Sequence, residues 1–480
     1  MNFKEWEALI EEDPDEAAKR AAKTLDEDPE NPLALFVIAT VYSRAERFGI
    51  SANIFTRITQ IKPDRPEPWN NLGMCYAGLG MNIKARHCFH EAWKRQKQGI
   101  FAANIGMTHF ADRDFKKSIE WCERALSMGE SKSAKTTLGM TYLSLGKWED
   151  GWKLNSASVG GKFRKDIQYQ DEPRWDGTKG QGVVFYGEQG LGDEIMYASC
   201  IPDARNDCRE IILECDRRLQ GLFSRSFPGV SVYGTRTQNG ITWPVNHKID
   251  ARLPSGQLPE FYRPTPKSCP GKPYLVADPE RRVQWRALLD SFGRRPKIGI
   301  CWSGGSKYNK PKERAIGLEA MRPLIESIDA DWISLQYKDP TEEIAASGLP
   351  VHHWKRACET DDYDDTAALV KELDMVVGVH TSVHHLAGAL GVPGIILVPY
   401  KTIWVYCLPD GSMPWYSSAR LFKQREGEKW ADTIKRLVND PDLRRLGSAG
   451  NCGVSHVLPV DHQPLKPTAI VHAARAALAA

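Results

Sequence analysis

"GVVFYGEQGLGDEIMY", residues 182–197, sets a short apolar run against a turn containing Gly190 and Gly192, then an acid, Asp193, then an amphipathic stretch. The reading is strand, tight turn, helix. Taken alone, the two glycines permit a tight turn and Asp193 caps a helix. What else the turn does depends on the runs around it.

Five more runs share the composition of the first: "EIILEC", "PKIGICW", "DWISLQ", "DMVVGV" and "GIILVPY". Each is apolar on both faces and followed by a helical pattern, which predicts parallel sheets covered on both sides. A Pro-rich stretch at 253–279 reads as a linker between two Rossmann-like halves, the second starting near Lys297. Two closing segments, "KWADTIKRLVNDPDLRRLG" and "PTAIVHAARAALA", carry apolar stripes at helical spacing and are expected to pack on the second sheet.

Upstream the period changes. "WNNLGMCY", Trp69–Tyr76, fits W-x2-L-G-x2-Y, and Ala85, Phe89 and Ala92 follow at helical offsets. The frame recurs at Ile105, Gly106 and Ala125 and at Leu138, Gly139 and Tyr142, with a looser copy at Ile38, Ala39, Tyr42, Phe55 and Pro63. The small residues 39, 73, 106 and 139 are spaced by 34, 33 and 33 residues. This pattern resembles the tetratricopeptide repeat, TPR, and implies a stack of helical hairpins over residues 1–155.

Bulk properties set outer limits. A chain of 480 residues exceeds one ordinary core. The acidic N-terminus lacks the pattern of a secretory signal, and no apolar run approaches the roughly 20 residues of a membrane span. The 11 cysteines form no C-x-x-C pair, which predicts reduced thiols and a cytoplasmic setting. Residues 1–30 hold 11 acids and 4 bases, whereas residues 31–180 hold 23 bases and 15 acids. The basic part includes Lys84, Arg86, Lys94, Arg95 and Lys97, which either form a solvated surface or attract an anionic partner.

In open parallel sheets ligands bind beyond the C-terminal strand ends, beside helix N-termini. Four segments fall there: Gly190–Asp193; Ser303, Gly304 and Gly305 with Lys307, Lys310, Lys312 and Arg314; Gln336; and Thr381 with Ser382. Hydroxyls and amides at a helix start, facing a loop of cations, suit a pyrophosphate. Thr381 or Ser382 serves equally as a cap. His380 and His384, four apart, have the spacing of two metal ligands, but no third ligand accompanies them, and no metal is expected.

"GEQGLGDEIMY", "WSGG…ERAIGLE", "DYDDTAALVKELDMVVGVHTSVHHLAGALGVP" and "PWYSSARLFKQ" together resemble the TPR-containing glycosyltransferases related to the heptosyltransferases of lipopolysaccharide synthesis. The resemblance implies an α + α/β chain: a TPR solenoid at 1–155, an acceptor-side Rossmann-like domain at 156–270, and a nucleotide-sugar-binding domain at 271–480 in a GT-B fold. It implies Asp193 as catalytic base. It implies donor contacts from Gly190, Gly192, Ser303, Gly304, Arg314, Gln336, Asp365, Thr366, Thr381, Ser382 and His385. Trp404 and "PWY" at 414–416 align with the stretch after the last long strand. His380 stands where the family usually has aspartate, and His384 is an additional histidine.

The function so implied is inverting transfer from a nucleotide sugar, a substrate and not a cofactor, to an acceptor hydroxyl. The array would recruit the acceptor: a protein first, otherwise a glycan or a hydroxylated base in DNA. The alternative is a TPR scaffold with a silent glycosyltransferase-like domain.

Overall fold

A computed structural model describes residues 3–161, 164, 172–236, 247–304, 315–359 and 361–449. The chain forms two compact units: 1–143 with 153–159, and 144–152 with 160–480.

The first unit is a stack of antiparallel helices. Helices start at Pro32, Pro66, Gly99 and Lys132, spaced by 34, 33 and 33 residues, and each of the first three is followed by a partner, Phe48–Ile61, Asn82–Arg95 and Phe115–Leu126. Starts are marked by local chemistry: the Asn31 side chain accepts the Ala34 N–H, and Pro32 occupies the first turn, where its missing N–H costs nothing. Small residues set the hairpin spacing. A Cβ on Gly73 would lie 2.6 Å from the Phe89 ring, and one on Gly106 would lie 2.6 Å from the Cys122 sulfur. This is a TPR-like helical array. Its apolar layer runs through Phe55, Leu72, Phe89, Ile105 and Leu138, all buried.

The second unit holds two parallel sheets. Strands β1 (Gly182–Tyr186), β2 (Glu210–Glu214), β3 (Ser231–Tyr233) and β4 (Ala251–Pro254) lie in the order β3-β2-β1-β4. Strands β5 (Lys297–Cys301), β6 (Asp331–Ser334), β7 (Val351–His352), β8 (Met375–Val379), β9 (Gly394–Val398) and β10 (Ala419–Lys423) lie in the order β10-β9-β8-β5-β6-β7. All pairings are parallel. In each sheet the chain leaves the first strand in one direction and later returns to its other side. The strand order therefore reverses between β1 and β4, and again between β5 and β8.

The second sheet is apolar on both faces. Ile298, Ile300, Trp332, Val377, Val379, Ile395 and Leu397 form one face and pack on Leu318, Met321, Leu324, Ile434 and Leu437. Gly299 faces the other way, where a Cβ would lie 2.6 Å from Leu335. The segment read as a linker is partly regular: it begins in β4 and contains the Leu258–Tyr262 helix. The first closing segment is two helices, Trp430–Val438 and Pro441–Ala449, because Pro441 can start a helix but not continue one. The segment "PTAIVHAARAALA" lies outside the described residues.

Ser144–Trp152 belongs to the second unit. Its Trp148 stacks on Trp415 at 5.4 Å, and Trp152 meets Trp404 edge-on at 5.1 Å. The Trp152 indole N–H also donates to the Arg263 carbonyl at 2.9 Å.

Candidate functional site

The turn after β1 is built on buried charge. Glu188 and Arg164 are 1% and 7% exposed, and Arg164 donates to one Glu188 oxygen from Nε at 3.1 Å and from Nη2 at 2.6 Å. Glu194 is also buried: it accepts the Asp216 N–H at 2.8 Å and faces Arg236 Nη1 at 2.8 Å. Arg236 further reaches Asp216 Oδ2 at 2.7 Å and the Gln189 carbonyl. Burial raises the Glu194 carboxyl to about 8, with Arg236 opposing. At Asp216 burial acts in the same upward sense, but bonds from Arg218 prevail and hold the carboxyl at about 2. Glycine is required where these carboxylates meet backbone: a Cβ on Gly187 would lie 2.5 Å from Glu194 Oε1, and one on Gly256 would lie 2.5 Å from Glu188 Oε1.

Asp193 is the third residue of the Leu191–Ala198 helix, and its Oδ2 accepts the Gly190 N–H at 3.1 Å. It is therefore not the N-cap residue itself but the acid that reaches back to the cap position. Gly192 faces the other sheet, where a Cβ would lie 3.0 Å from His385 Cδ2 and 3.2 Å from Ser382 Cα. The turn at β1 thus abuts the helix that follows β8. Tyr274 ties the same two elements, its hydroxyl donating to the Ile195 carbonyl at 2.6 Å and its N–H to the Ala389 carbonyl at 3.0 Å.

Among the described residues, the second sheet's crest rests on uncharged side chains. After β5, the Trp302 and Ser303 N–H groups donate to Gln336 Oε1 at 3.2 and 3.3 Å, and Gln336 Nε2 donates to Ser303 Oγ. Gly304 lies against Thr381, where a Cβ would sit 2.4 Å from the threonine methyl. After β8 comes the Ser382–Leu390 helix, whose N-cap residue Thr381 makes no side-chain capping bond. Ser382 Oγ accepts the Tyr363 hydroxyl at 3.1 Å. Gly378 permits the close strand pairing, since a Cβ there would lie 2.0 Å from the Cys301 carbonyl oxygen.

Three histidines fill this helix start, all buried. The two ring nitrogens of His385 bond to Tyr416 at 3.1 Å and Tyr406 at 3.0 Å. His384 Nε2 bonds to the Gly378 carbonyl at 2.9 Å, so this nitrogen carries the proton. Burial lowers His384 to about 4 and His385 to about 3. Both are neutral at pH 7.

The structure gathers Gly192, Ser303, Gly304, Gln336, Thr381, Ser382 and His385, with Gly190 and Asp193 on the adjoining turn. It does not bring Asp365 and Thr366 into that group. Asp365 accepts from Arg281 at 2.9 Å and from the Trp285 indole at 3.1 Å, and buried Thr366 donates to the Ala357 carbonyl. Arg314, with Lys307, Lys310 and Lys312, lies outside the described residues. Sequence reasoning passed over Tyr363, Tyr406, Glu188, Arg164 and Arg236, and it placed Tyr416 within "PWY" without a role. Their partners are 19 to 47 residues away along the chain, beyond the reach of a local pattern.

Among the described residues, Asp339, His353 and Glu359 could converge on a metal ion at the rim of the second sheet. They already have partners: His353 Nε2 hydrogen-bonds with Glu359 at 2.8 Å, and Lys355 lies 3.2 Å from Asp339. In the array, Lys94 and Arg95 pair with Glu91 at 2.7 and 2.8 Å, and Arg95 covers the Trp69 ring, so part of the basic strip is neutralised locally. Among the described residues no helix is long and apolar enough to cross a membrane.

No family model matches the chain. Protein FlbA of Caulobacter vibrioides is 27% identical over 406 residues, covering 78% of this chain and 67% of its own length. Among solved structures, MamA matches at 17% identity over 32% of this chain and 90% of its own, with a TM-score of 0.29. TTC0263, a TPR protein of Thermus thermophilus, matches at 16% identity over 32% of this chain and 85% of its own, with a TM-score of 0.29. YrrB, a TPR protein with an unusual peptide-binding site, matches at 16% identity over 29% of this chain and 73% of its own, with a TM-score of 0.26.

Proposed function

We propose that the chain is an inverting glycosyltransferase, its two sheets forming a GT-B pair and its TPR array recruiting a protein acceptor. The observation that supports this most is the approach of one sheet's reversal point to the other's, through Gly192 against Ser382 and His385. In open α/β sheets ligands bind in the crevice at such a reversal point, beyond the carboxyl ends of the strands.

The chemistry follows from what each side offers. An acceptor hydroxyl attacks the anomeric carbon, the bond from that carbon to the diphosphate oxygen breaks, and the hydroxyl proton passes to the Asp193 carboxylate. Negative charge then builds on the leaving diphosphate. The helix start at Thr381–Ser382, which no side chain of Thr381 caps, offers N–H donors and a positive helix end to that charge, beside a Ser303 turn whose own N–H is held by Gln336. Buried neutral histidines beneath them add no competing charge. A single base opposite the leaving group gives inversion.

A second reading has its own support. Asp193 is engaged by the Gly190 N–H, and Asp365 and Thr366 are committed to structural partners, as in a silent scaffold. Incubation with a panel of nucleotide sugars separates the two. Release of nucleoside diphosphate from one donor, lost in Asp193→Asn, is expected for the enzyme. No release from any donor, with nucleotide binding also absent by calorimetry, would leave the scaffold.

A further inference from the structure

Two serines at the crest of the second sheet share one arrangement. Ser303 lies two residues past β5, and Ser382 lies three residues past the neighbouring strand β8. Each has its oxygen occupied by a side chain from elsewhere in the sheet. Gln336 Nε2 donates to Ser303 Oγ, and the Tyr363 hydroxyl donates to Ser382 Oγ at 3.1 Å. Both serines are partly exposed. Among the described residues neither donates its own hydroxyl proton to a side chain or a carbonyl.

The partners set the direction of these bonds. Gln336 is fixed by its other end, where Oε1 accepts the Trp302 and Ser303 N–H groups at 3.2 and 3.3 Å, so only its NH2 faces Ser303 Oγ. Tyr363 is 8% exposed and opens the Tyr363–Lys371 helix, which Asp362 caps by accepting the Asp364 N–H at 2.9 Å. Burial raises the Tyr363 phenol well above its ordinary value, so the group keeps its proton and stays a donor.

A serine hydroxyl has one proton to give and two lone pairs. The Tyr363 O–H occupies one lone pair of Ser382 and holds Oγ in place. The serine's own proton cannot point back at Tyr363, and it is left for a ligand. Accepting one bond also strengthens the bond that the same hydroxyl donates.

We propose that Tyr363 is a positioning residue: by occupying Ser382 Oγ it turns the serine O–H toward the leaving diphosphate, as Gln336 does for Ser303. The cradle is thereby selective for ionised phosphoryl oxygens, which accept hydrogen bonds and do not donate them. This rests on the transfer reaction proposed above. Ser382 is well placed for it, since a Cβ on Gly192 would lie 3.2 Å from Ser382 Cα, beside the turn that carries Asp193.

The experiment is calorimetry of the full chain with pyrophosphate, on the unaltered protein, Tyr363→Phe, Ser382→Ala and the double variant, with melting curves to check folding. Tyr363→Phe keeps the ring and removes only the hydroxyl. It is expected to weaken binding by about threefold to tenfold, the effect of one hydrogen bond, and Ser382→Ala by at least as much. Because Tyr363 acts through Ser382, the double variant is expected to bind no more weakly than Ser382→Ala alone. A tyrosine with a merely structural role would weaken the double variant further or leave the affinity unmoved, and either result overturns the proposal. So does a Ser382→Ala protein that binds as tightly as the unaltered one, whatever Tyr363→Phe does. In those cases pyrophosphate still binds and the transfer reading stands. If the unaltered protein binds no pyrophosphate, the diphosphate cradle itself fails and the proposal falls with it.

Discussion

The two crests of the α/β unit occupy equivalent places in their sheets and are built from opposite materials. After β1 the turn rests on two ion pairs, Glu188 on Arg164 and Asp216 on Arg236, with the buried Glu194, its carboxyl raised to about 8, facing the same arginine. After β8 the helix start rests on neutral groups, His385 between two tyrosines and His384 on a carbonyl. One side is organised to hold a carboxylate in place, the other to present amides and hydroxyls that, among the described residues, rest on uncharged side chains. Under the proposed transfer, the first wall would hold the base and the second would cradle the departing anion.

The largest expected effect tests the charged wall. Asp193→Asn keeps a side-chain oxygen able to accept the Gly190 N–H but cannot take a proton. Turnover is expected to fall by about 10²–10⁴, the range for loss of a general base, with the melting temperature unchanged. Asp193→Ala should lose the same activity and about 1 kcal/mol of stability as well. If both variants lose stability and neither loses turnover, Asp193 is a structural residue and the walls differ in construction only.

The same wall should break when its charges are separated. Arg164→Ala strands the buried Glu188 carboxylate, which costs about 3–5 kcal/mol in such sites. Denaturant unfolding measures it. The pH response is sharper still, because the walls fail at opposite ends. Glu194 is raised in the folded state from 4.5 to about 8, so its contribution is complete below 4.5 and is lost as pH rises through 8. His385 is lowered from 6.5 to about 3, so its contribution is present above 6.5 and is lost as pH falls towards 3. Glu194→Gln should flatten the alkaline limb of stability against pH and leave the acid limb in place.

This contrast also explains what a one-dimensional reading reaches. The TPR array was legible because its determinants are local: Gly73 and Phe89 belong to one hairpin, and the same offset recurs down the chain. The six long strands were legible as runs apolar on both faces. The missed strands β3, β4, β7 and β10 are short or at edges; β10 is half-exposed throughout and so carries no such run. At the crests, sequence reached the residues whose type announces a role, glycines, hydroxyls and Asp193. It did not reach the pairing that decides the role. Asp365 reads like a ligand in "DYDDTA" until Arg281, 84 residues earlier, is found holding it.

Donor affinity tests the neutral wall. Thr381→Ala combined with Ser382→Ala removes two hydroxyls at the helix start, where bonds to a charged group contribute about 1.5–3 kcal/mol each. Calorimetry with the nucleoside diphosphate should register the loss, while Arg164→Ala, in the folded fraction, should leave that affinity near its original value. Equal effects of both changes would show that the walls do not divide the labour.

The smallest expected effect asks whether the neutral wall is as rigid as its geometry implies. A neutral imidazole has one N–H and one bare nitrogen, so of Tyr406 and Tyr416 one hydroxyl donates to His385 and the other accepts from it. Replacing either by phenylalanine leaves one buried ring nitrogen unpaired at a cost of about 1–3 kcal/mol. Because no net charge is uncovered, the loss should be independent of salt, whereas Arg164→Ala, which exposes a buried charge to its surroundings, should respond to it. Unfolding of Tyr406→Phe and Tyr416→Phe at low and high ionic strength measures both points. A salt-dependent loss in either variant would mean that His385 is charged in the folded protein, and the opposition between the two walls would then fail at its centre.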